Sequence, residues 1–334
     1  MRAPFPYFGG KSRVADVVWR ELGATVPNYV EPFAGSLAVL LARPGGAGKV
    51  ETVNDLDGCI ANFWRAVAWA PDEVAHHADW PVNEADLHAR HAWLVERRGD
   101  LTERLMGDPR WFDSEAAGWW LWGACAWIGS GWCSGEGPWH VVDGRLVKGN
   151  AGRGINRQLP HLGDAGRGIN RQLPHLGDAG VGINRKLPHL AQPREINTRG
   201  AWDADGLCQR LRRVRVACGD WRRVLGENVT NPNRVIGGVF LDPPYDEGAG
   251  YSCGGGVAAD VWAWACEHGD NPGLRIAVCG YDDGREVPAG WRGVSWKAKG
   301  GYGSQGDGAG RENAARERIW LSPHCLGSNQ MEMF

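Results

Sequence analysis

The 334-residue chain is 43% hydrophobic, has a net charge of −2 and contains nine cysteines, no two of them spaced as CxxC. That apolar fraction is enough for one large core or a core with a smaller lobe, no run of about 20 apolar residues offers a membrane-spanning helix, and the cysteine spacing indicates neither a zinc site nor a disulfide framework. Unpaired thiols, and an opening stretch MRAPFPYFGGKSR without the apolar core of a secretory signal, make the cytoplasm the expected compartment.

Along the chain, KSRVADVVWREL has helical spacing, NYVEPFAG is a short strand running into a glycine turn, and SLAVLLAR continues as a helix. KVETVNDLDG is a second strand ending in acids, and CIANFWRAVAWA a further helix. From about residue 72 to 205 the pattern changes: EADLHARHAWLVERRGDLTERLM and SEAAGWWLWGACAWIG are helical, and a glycine-rich stretch of little periodicity follows. Alternation returns with VRVACGDW, RVIGGVFLDPPY, the helix AADVWAWACEH, the strand LRIAVCGYDD and two strand-like runs, WRGVSWKA and ERIWLSP. Strands separated by helices predict an α/β fold with a mostly parallel, doubly wound sheet, and the last two runs an antiparallel edge strand. The expected division is one domain over 1–70 and 206–334, interrupted by a mainly helical and loop-rich region over 71–205.

The net charge conceals an asymmetry. Ten basic residues and three acids lie between Arg145 and Arg199, so that segment is +7 and the rest of the chain −9. Inside it, over 151–192, a 14-residue unit recurs: AGRGINRQLPHLGD from Ala151 and again from Ala165, then AGVGINRKLPHLAQ from Ala179. The unit is too short and glycine-rich for a helical solenoid. Each copy supplies an Arg or Lys pair (Arg153 and Arg157, Arg167 and Arg171, Arg185 and Lys186), which suits a surface touching successive phosphates of a polyanion. A duplicated loop insertion without a role would look the same. His161, His175 and His189 have no cysteine or carboxylate partners at ligand spacing, so no metal is expected.

The stretch GGVFLDPPYDEG poses the chemical question, because proline removes a ladder donor and is avoided inside a central strand. In one reading the prolines merely end the strand. In the other they hold a carboxylate, a carbonyl and an aromatic ring rigidly at the carboxyl edge of a sheet, where open α/β folds bind ligands.

Five motifs stand in one order: PYFGGK near the start, EPFAGS at 31–36, NDLD at 54–57, CGDW at 218–221 and DPPY at 242–245. In this order they resemble the Dam-like (class alpha) DNA adenine N6-methyltransferases, from Pro6 to about Pro323 apart from the repeats; the glycine–arginine middle looks most like bacteriophage-type members. The resemblance implies a Rossmann-like methyltransferase sheet with an inserted target-recognition region. It also implies S-adenosylmethionine as cofactor, double-stranded DNA as substrate, base flipping, no metal, and a monomer working in a bacterial or phage-infected cell.

The chemistry so implied is specific. The exocyclic amine of adenine is a weak nucleophile, because its lone pair is delocalised into the ring. Two acceptors against its N–H bonds would localise that pair: the Asp242 carboxylate and the Pro243 carbonyl, the latter fixed by the consecutive rings of Pro243 and Pro244. Tyr245 offers a face for an extruded base, and in-line attack on a sulfonium methyl then depends on proximity and orientation. The amine of cytosine presents the same problem, so a DNA cytosine-N4 methyltransferase is the alternative enzyme, and a DNA-binding relative without activity a further one. By family analogy, Asp rather than Ser before Pro-Pro-Tyr leans toward adenine.

By the same resemblance, Tyr7 and Lys11 line the methionine end of the cofactor, with Glu31, Phe33, Gly35 and Ser36 around it. Gly35 lets the backbone approach a ligand closely, and the amides of Gly35, Ser36 and Leu37 are expected to open a helix toward an anion. The family pattern FxGxG is interrupted, with Leu37 at the second glycine. Asp55 ends the second strand, where an acid accepts from ribose hydroxyls; Asp57 is the competitor, or an N-cap. Asp220 stands where the family's acid accepts from the cofactor's adenine amine, or else caps a helix. The tryptophans between Trp120 and Gly135 read mostly as core, with the loop after them facing DNA. The loops YSCGGG and KGGYGSQGDGAG are candidate lids, the second reading better as a connector.

Overall fold

The computed structural model describes residues 1–5, 7, 11–127, 132–133, 139–142, 145–148, 204–244, 256–296 and 316–327. Helix α1 (Ala15–Leu22) leads into β1 (Asn28–Glu31), α2 (Ala38–Leu41), β2 (Val50–Asp55) and α3 (Gly58–Trp69). Three helices follow, α4 (Pro71–Ala78), α5 (Glu84–Gly107) and α6 (Ser114–Ala126), then a hairpin of β3 (Trp139–Val142) and β4 (Arg145–Lys148). The chain resumes with α7 (Ala204–Leu211), β5 (Val214–Cys218), a 3₁₀ turn over Trp221–Val224, α8 (Glu227–Thr230) and β6 (Gly237–Leu241). It closes with α9 (Val257–His268), β7 (Leu274–Tyr281), β8 (Arg292–Ser295) and β9 (Glu317–Leu321).

Seven strands form one sheet in the order β5-β2-β1-β6-β7-β9-β8. The first five pair in parallel. Strand β9 runs antiparallel to both β7 and β8, so the antiparallel pairing falls at the expected end of the sheet, with β9 one place in from the outermost β8. All five residues of β6 are buried, as a central parallel strand covered on both faces requires. The hairpin was not anticipated. Its signal, WHVV and RLVK joined by Asp143-Gly144, is a recognised turn pairing that the surrounding glycines obscure.

On one face the sheet packs against α1, α2 and α3 through Trp19, Leu40, Phe63 and Trp64; on the other, Val239, Leu241, Ile276 and Trp320 pack against Val261 and Ala265 of α9. Phe5 sits edge-on to Phe63 of α3 and Trp120 of α6, with ring centroids 5.3 and 4.8 Å away. The helices after α3 therefore share one core with the sheet layer. Trp120, Trp122 and Trp127 are buried in it, as read from the sequence.

A buried charge cluster fastens the returning chain. Glu51 of β2 accepts from Arg210 of α7 at 2.6 and 3.0 Å and from Arg43 at 3.0 Å. Arg210 also donates to the Leu40 carbonyl, and Arg43 to the carbonyls of Ala24 and Val26.

Candidate active site

Strands β1 and β6 are neighbours, and the helices that follow them, α2 and α9, cover opposite faces of the sheet. Their carboxyl ends thus form the topological switch point at which open α/β sheets bind ligands. EPFAGS leaves β1 and Asp242-Pro243-Pro244 leaves β6 at that point, so the fold brings together two motifs some 200 positions apart in the chain.

The glycine turn is held from several sides. Gly35 has a φ of 45°, and a Cβ there would lie 2.6 Å from the ring of Tyr7, which packs against the turn. Its amide donates to Asp55 Oδ2 at 2.9 Å and its carbonyl accepts from Trp64 Nε1 at 2.8 Å. Leu37, at the second glycine position, adopts the left-handed conformation (φ 52°, ψ 28°) and is completely buried. Left-handed backbone costs roughly 1–2 kcal/mol for an L-residue, and burial of this side chain offsets it. The loop thus keeps its course without the second glycine. One expectation needs correcting: of the three amides read as facing a ligand anion, that of Gly35 is taken by Asp55 and that of Leu37 by the Ala34 carbonyl.

Asn54, not singled out from the sequence, ties the neighbouring loops together. Its Nδ2 donates to the carbonyls of Pro32 (3.1 Å) and Gly219 (2.9 Å), joining the ends of β1 and β5 across β2. Asp55 Oδ1 accepts from the Asp57 amide at 2.9 Å; burial, with Asp57 nearby, pushes its carboxyl up to about 7. Asp57 caps α3 through the Cys59 amide and pairs with Arg98 at 3.3 Å. Asp220 caps the 3₁₀ turn by accepting from the Arg222 amide at 2.9 Å, and stays half-exposed next to Trp221, whose ring lies 6.1 Å from that of Phe33.

A buried ion pair stands at the carboxyl end of β6. Lys11 Nζ lies 3.0 Å from Asp242 Oδ1, the lysine 6% and the aspartate 21% exposed at the side chain, which rules out a solvated lysine at a helix start. Burial alone would lower the Lys11 pKa, but the charges of Asp242 and Glu317 and the hydrogen bond to Asp242 outweigh it and hold the ammonium above the usual lysine range. Glu31, at the end of β1, accepts from the Tyr29 hydroxyl at 2.9 Å. Burial, with Asp242 adding to it against that hydrogen bond, raises its carboxyl to about 8. Glu317 opens β9 on the same edge and rises to about 6 through burial. Cys279 of β7 is buried among these groups and its thiol is pushed well up. Glu317, Cys279 and Trp296 were missed by sequence reasoning; the one local signal was a carboxylate leading an apolar strand, ERIWL.

Tyr245, both candidate lid loops apart from Gly256, the repeats and Arg153, Arg157, Arg167, Arg171, Arg185 and Lys186 lie outside the described residues. Among the described residues, no helix is long and apolar enough to cross a membrane, and no group of three His, Cys, Asp or Glu could hold a metal ion.

Residues 7–92 match the family model of the D12 class N6 adenine-specific DNA methyltransferases. Over that span the chain is similar to the D12 class methyltransferases. The match takes in Tyr7, Lys11, the glycine turn and the NDLD acids, and the seven-stranded, mostly parallel sheet agrees with a Rossmann-like methyltransferase fold. The match supports adenine N6 methylation of DNA, the activity of that family, as the enzymatic activity here, in a class that in general draws its methyl group from S-adenosylmethionine. No curated protein matches the chain.

Proposed function

We propose that Asp242 and the Pro243 carbonyl activate the N6 amine of an adenine turned out of double-stranded DNA, and that the β1–β6 switch point holds the methyl donor. The observation carrying this reading is the position of Asp242, immediately after the central strand β6 and beside the glycine turn of β1. The site's charge suits the donor. Among the described residues Glu31, Asp242 and Glu317 surround one ammonium, Lys11; burial keeps Glu31 protonated at neutral pH, and the carboxylates of Asp242 and Glu317 still outnumber that ammonium, which fits a cationic sulfonium. S-adenosylmethionine, when bound, supplies the electrophilic methyl carbon.

This chain's residues then act as acceptors and walls. Pro243 is buried and its ring fixes its own φ, while Asp242 keeps an exposed fraction. Gly35, Ser36, Tyr7 and Phe33 shape the donor's cradle, with Glu31 and Asp55 as acceptors beside it and Asp220 as acceptor for its purine amine. Tyr245 stacks the extruded base. Residues 71–205 form the target-recognition region, and the repeated arginines with Lys186 contact phosphates.

The test is methyl incorporation from labelled S-adenosylmethionine into unmethylated bacterial DNA, followed by nucleoside mass spectrometry. Asp242→Ala is expected to lower incorporation by about 10²-fold or more. Equal incorporation by both proteins, or methylcytosine without methyladenine, would overturn the assignment.

A further inference from the structure

Lys11 stands between two carboxylates and pairs with Asp242 at 3.0 Å. Glu317 Oε2 is buried and has no hydrogen-bond partner among the described residues, and the same holds for Nε1 of Trp296 beside it. Buried polar atoms are almost always satisfied, and an exception in a site asks for a second arrangement that satisfies it.

The geometry supplies that arrangement. Strand β9 is antiparallel to β7, so its first residue, Glu317, lies at the edge where β6 ends in Asp242. One strand, β7, separates them, a span of about 10 Å across two strand spacings. The Lys11 ammonium sits 5.6 Å from the centre of the Trp296 ring, and the Trp296 amide donates to the Glu317 carbonyl at 3.4 Å. An ammonium on a four-carbon stem, with three N–H donors, can serve either side of such a gap.

We infer that Glu317 is a positioning residue that takes Lys11 over from Asp242 when the adenine amine docks, leaving the Asp242 carboxylate free to accept from it. This rests on the reading of Asp242 given above. While Lys11 holds Asp242, a cation stands next to the nitrogen that gains positive charge during transfer, and Asp242 is a weakened acceptor. Moving the ammonium to Glu317 relieves both effects and leaves the site's charge unchanged. Among the described residues, the charged or titratable groups facing Glu317 are Lys11 ahead of α1, Asp242 after β6 and Cys279 on β7, with Glu31 on β1 behind Asp242.

The experiment is single-turnover methyl transfer to unmethylated bacterial DNA by the full chain and its Glu317→Gln variant, across pH. Loss of the second docking place is expected to slow Glu317→Gln by about tenfold at saturating DNA and cofactor, with both KM values held within about twofold. The wild-type rate is expected to fall as pH drops through about 6, where Glu317 becomes neutral, and the variant to lose that limb. An unchanged rate and limb in Glu317→Gln, or an effect confined to KM, overturns the inference alone; no transfer by the wild type overturns the function as well. Should the variant fold poorly, a crystal structure of the wild type with S-adenosylhomocysteine and DNA decides. Lys11 Nζ is expected nearer Glu317 than Asp242 there, and its remaining on Asp242 refutes the exchange.

Discussion

The Gly35 amide donates to Asp55 Oδ2, so a backbone group at the first turn of the sheet is neutralised by a side chain ending the next strand. Asparagine at position 55 keeps one acceptor oxygen but turns an NH₂ toward the second of the two amides that Asp55 serves, those of Gly35 and Asp57. Asp55→Asn is therefore expected to lose about 1–3 kcal/mol of stability, the cost of a buried amide left unpaired. Its affinity for S-adenosylmethionine should fall too, because the turn it holds lines the donor's cradle. Urea unfolding and titration calorimetry measure the two; a variant with wild-type values in both would show the tie to be idle.

Leu37 sets two effects against each other. Leu37→Gly removes left-handed strain of roughly 1–2 kcal/mol but deletes a fully buried side chain, for which truncation costs about 2–5 kcal/mol. Packing is the larger, so the variant is expected to be less stable by about 1–3 kcal/mol despite restoring the family's glycine. A higher urea midpoint for Leu37→Gly would reverse that ranking.

Glu51 is 1% exposed and answers two guanidinium groups. Glu51→Gln leaves both cations buried without a counter-charge and is expected to cost about 3–5 kcal/mol. Thermal unfolding at neutral pH reads this directly, and a shift too small to measure would mean that Arg43 and Arg210 are satisfied by backbone carbonyls alone.

Three carboxyl groups in the site make stability depend on pH in an unusual direction. Burial raises Glu31 to about 8, Asp55 to about 7 and Glu317 to about 6. A carboxyl raised in the folded protein keeps its proton at pH values where the unfolded chain has lost it. For Glu31 that contribution is complete below the ordinary value of 4.5 and is lost as pH rises through about 8. The ligand-free protein is thus expected to melt at a lower temperature near pH 8 than near pH 5, and Glu31→Gln to flatten the upper part of that fall. A melting temperature that climbs over the same range would contradict the assignment.

Strand β6 was legible because a five-residue apolar run ended in prolines, and the parallel sheet because helical and strand periodicities alternated around it. The NDLD acids were legible as a pair but not as individuals: two residues apart at a strand end, either could have capped α3 or held the glycine turn. The fold separates them by aiming Asp55 at Gly35 and Asp57 at Cys59. Leu37 gave no warning, since nothing local marks a leucine as left-handed; the packing around it imposes that conformation. Glu317 and Lys11 come from opposite ends of the chain, and only the reversal of β9 carries the glutamate to the lysine's side of the sheet. A chemistry that depends on strand direction leaves no periodic trace.

The clasp between Glu51 and Arg210 joins positions 159 residues apart. In the unfolded chain the entropy of closing such a span grows only with the logarithm of its length, so even doubling it adds merely ~0.6 kcal/mol. One more or one fewer 14-residue copy lies far inside that margin. The clasp therefore works as a seam against which the intervening stretch can gain or lose whole units while β2 and β5 still find each other. Variation in copy number can then change the length of the segment between β4 and α7 without passing through a destabilised sheet.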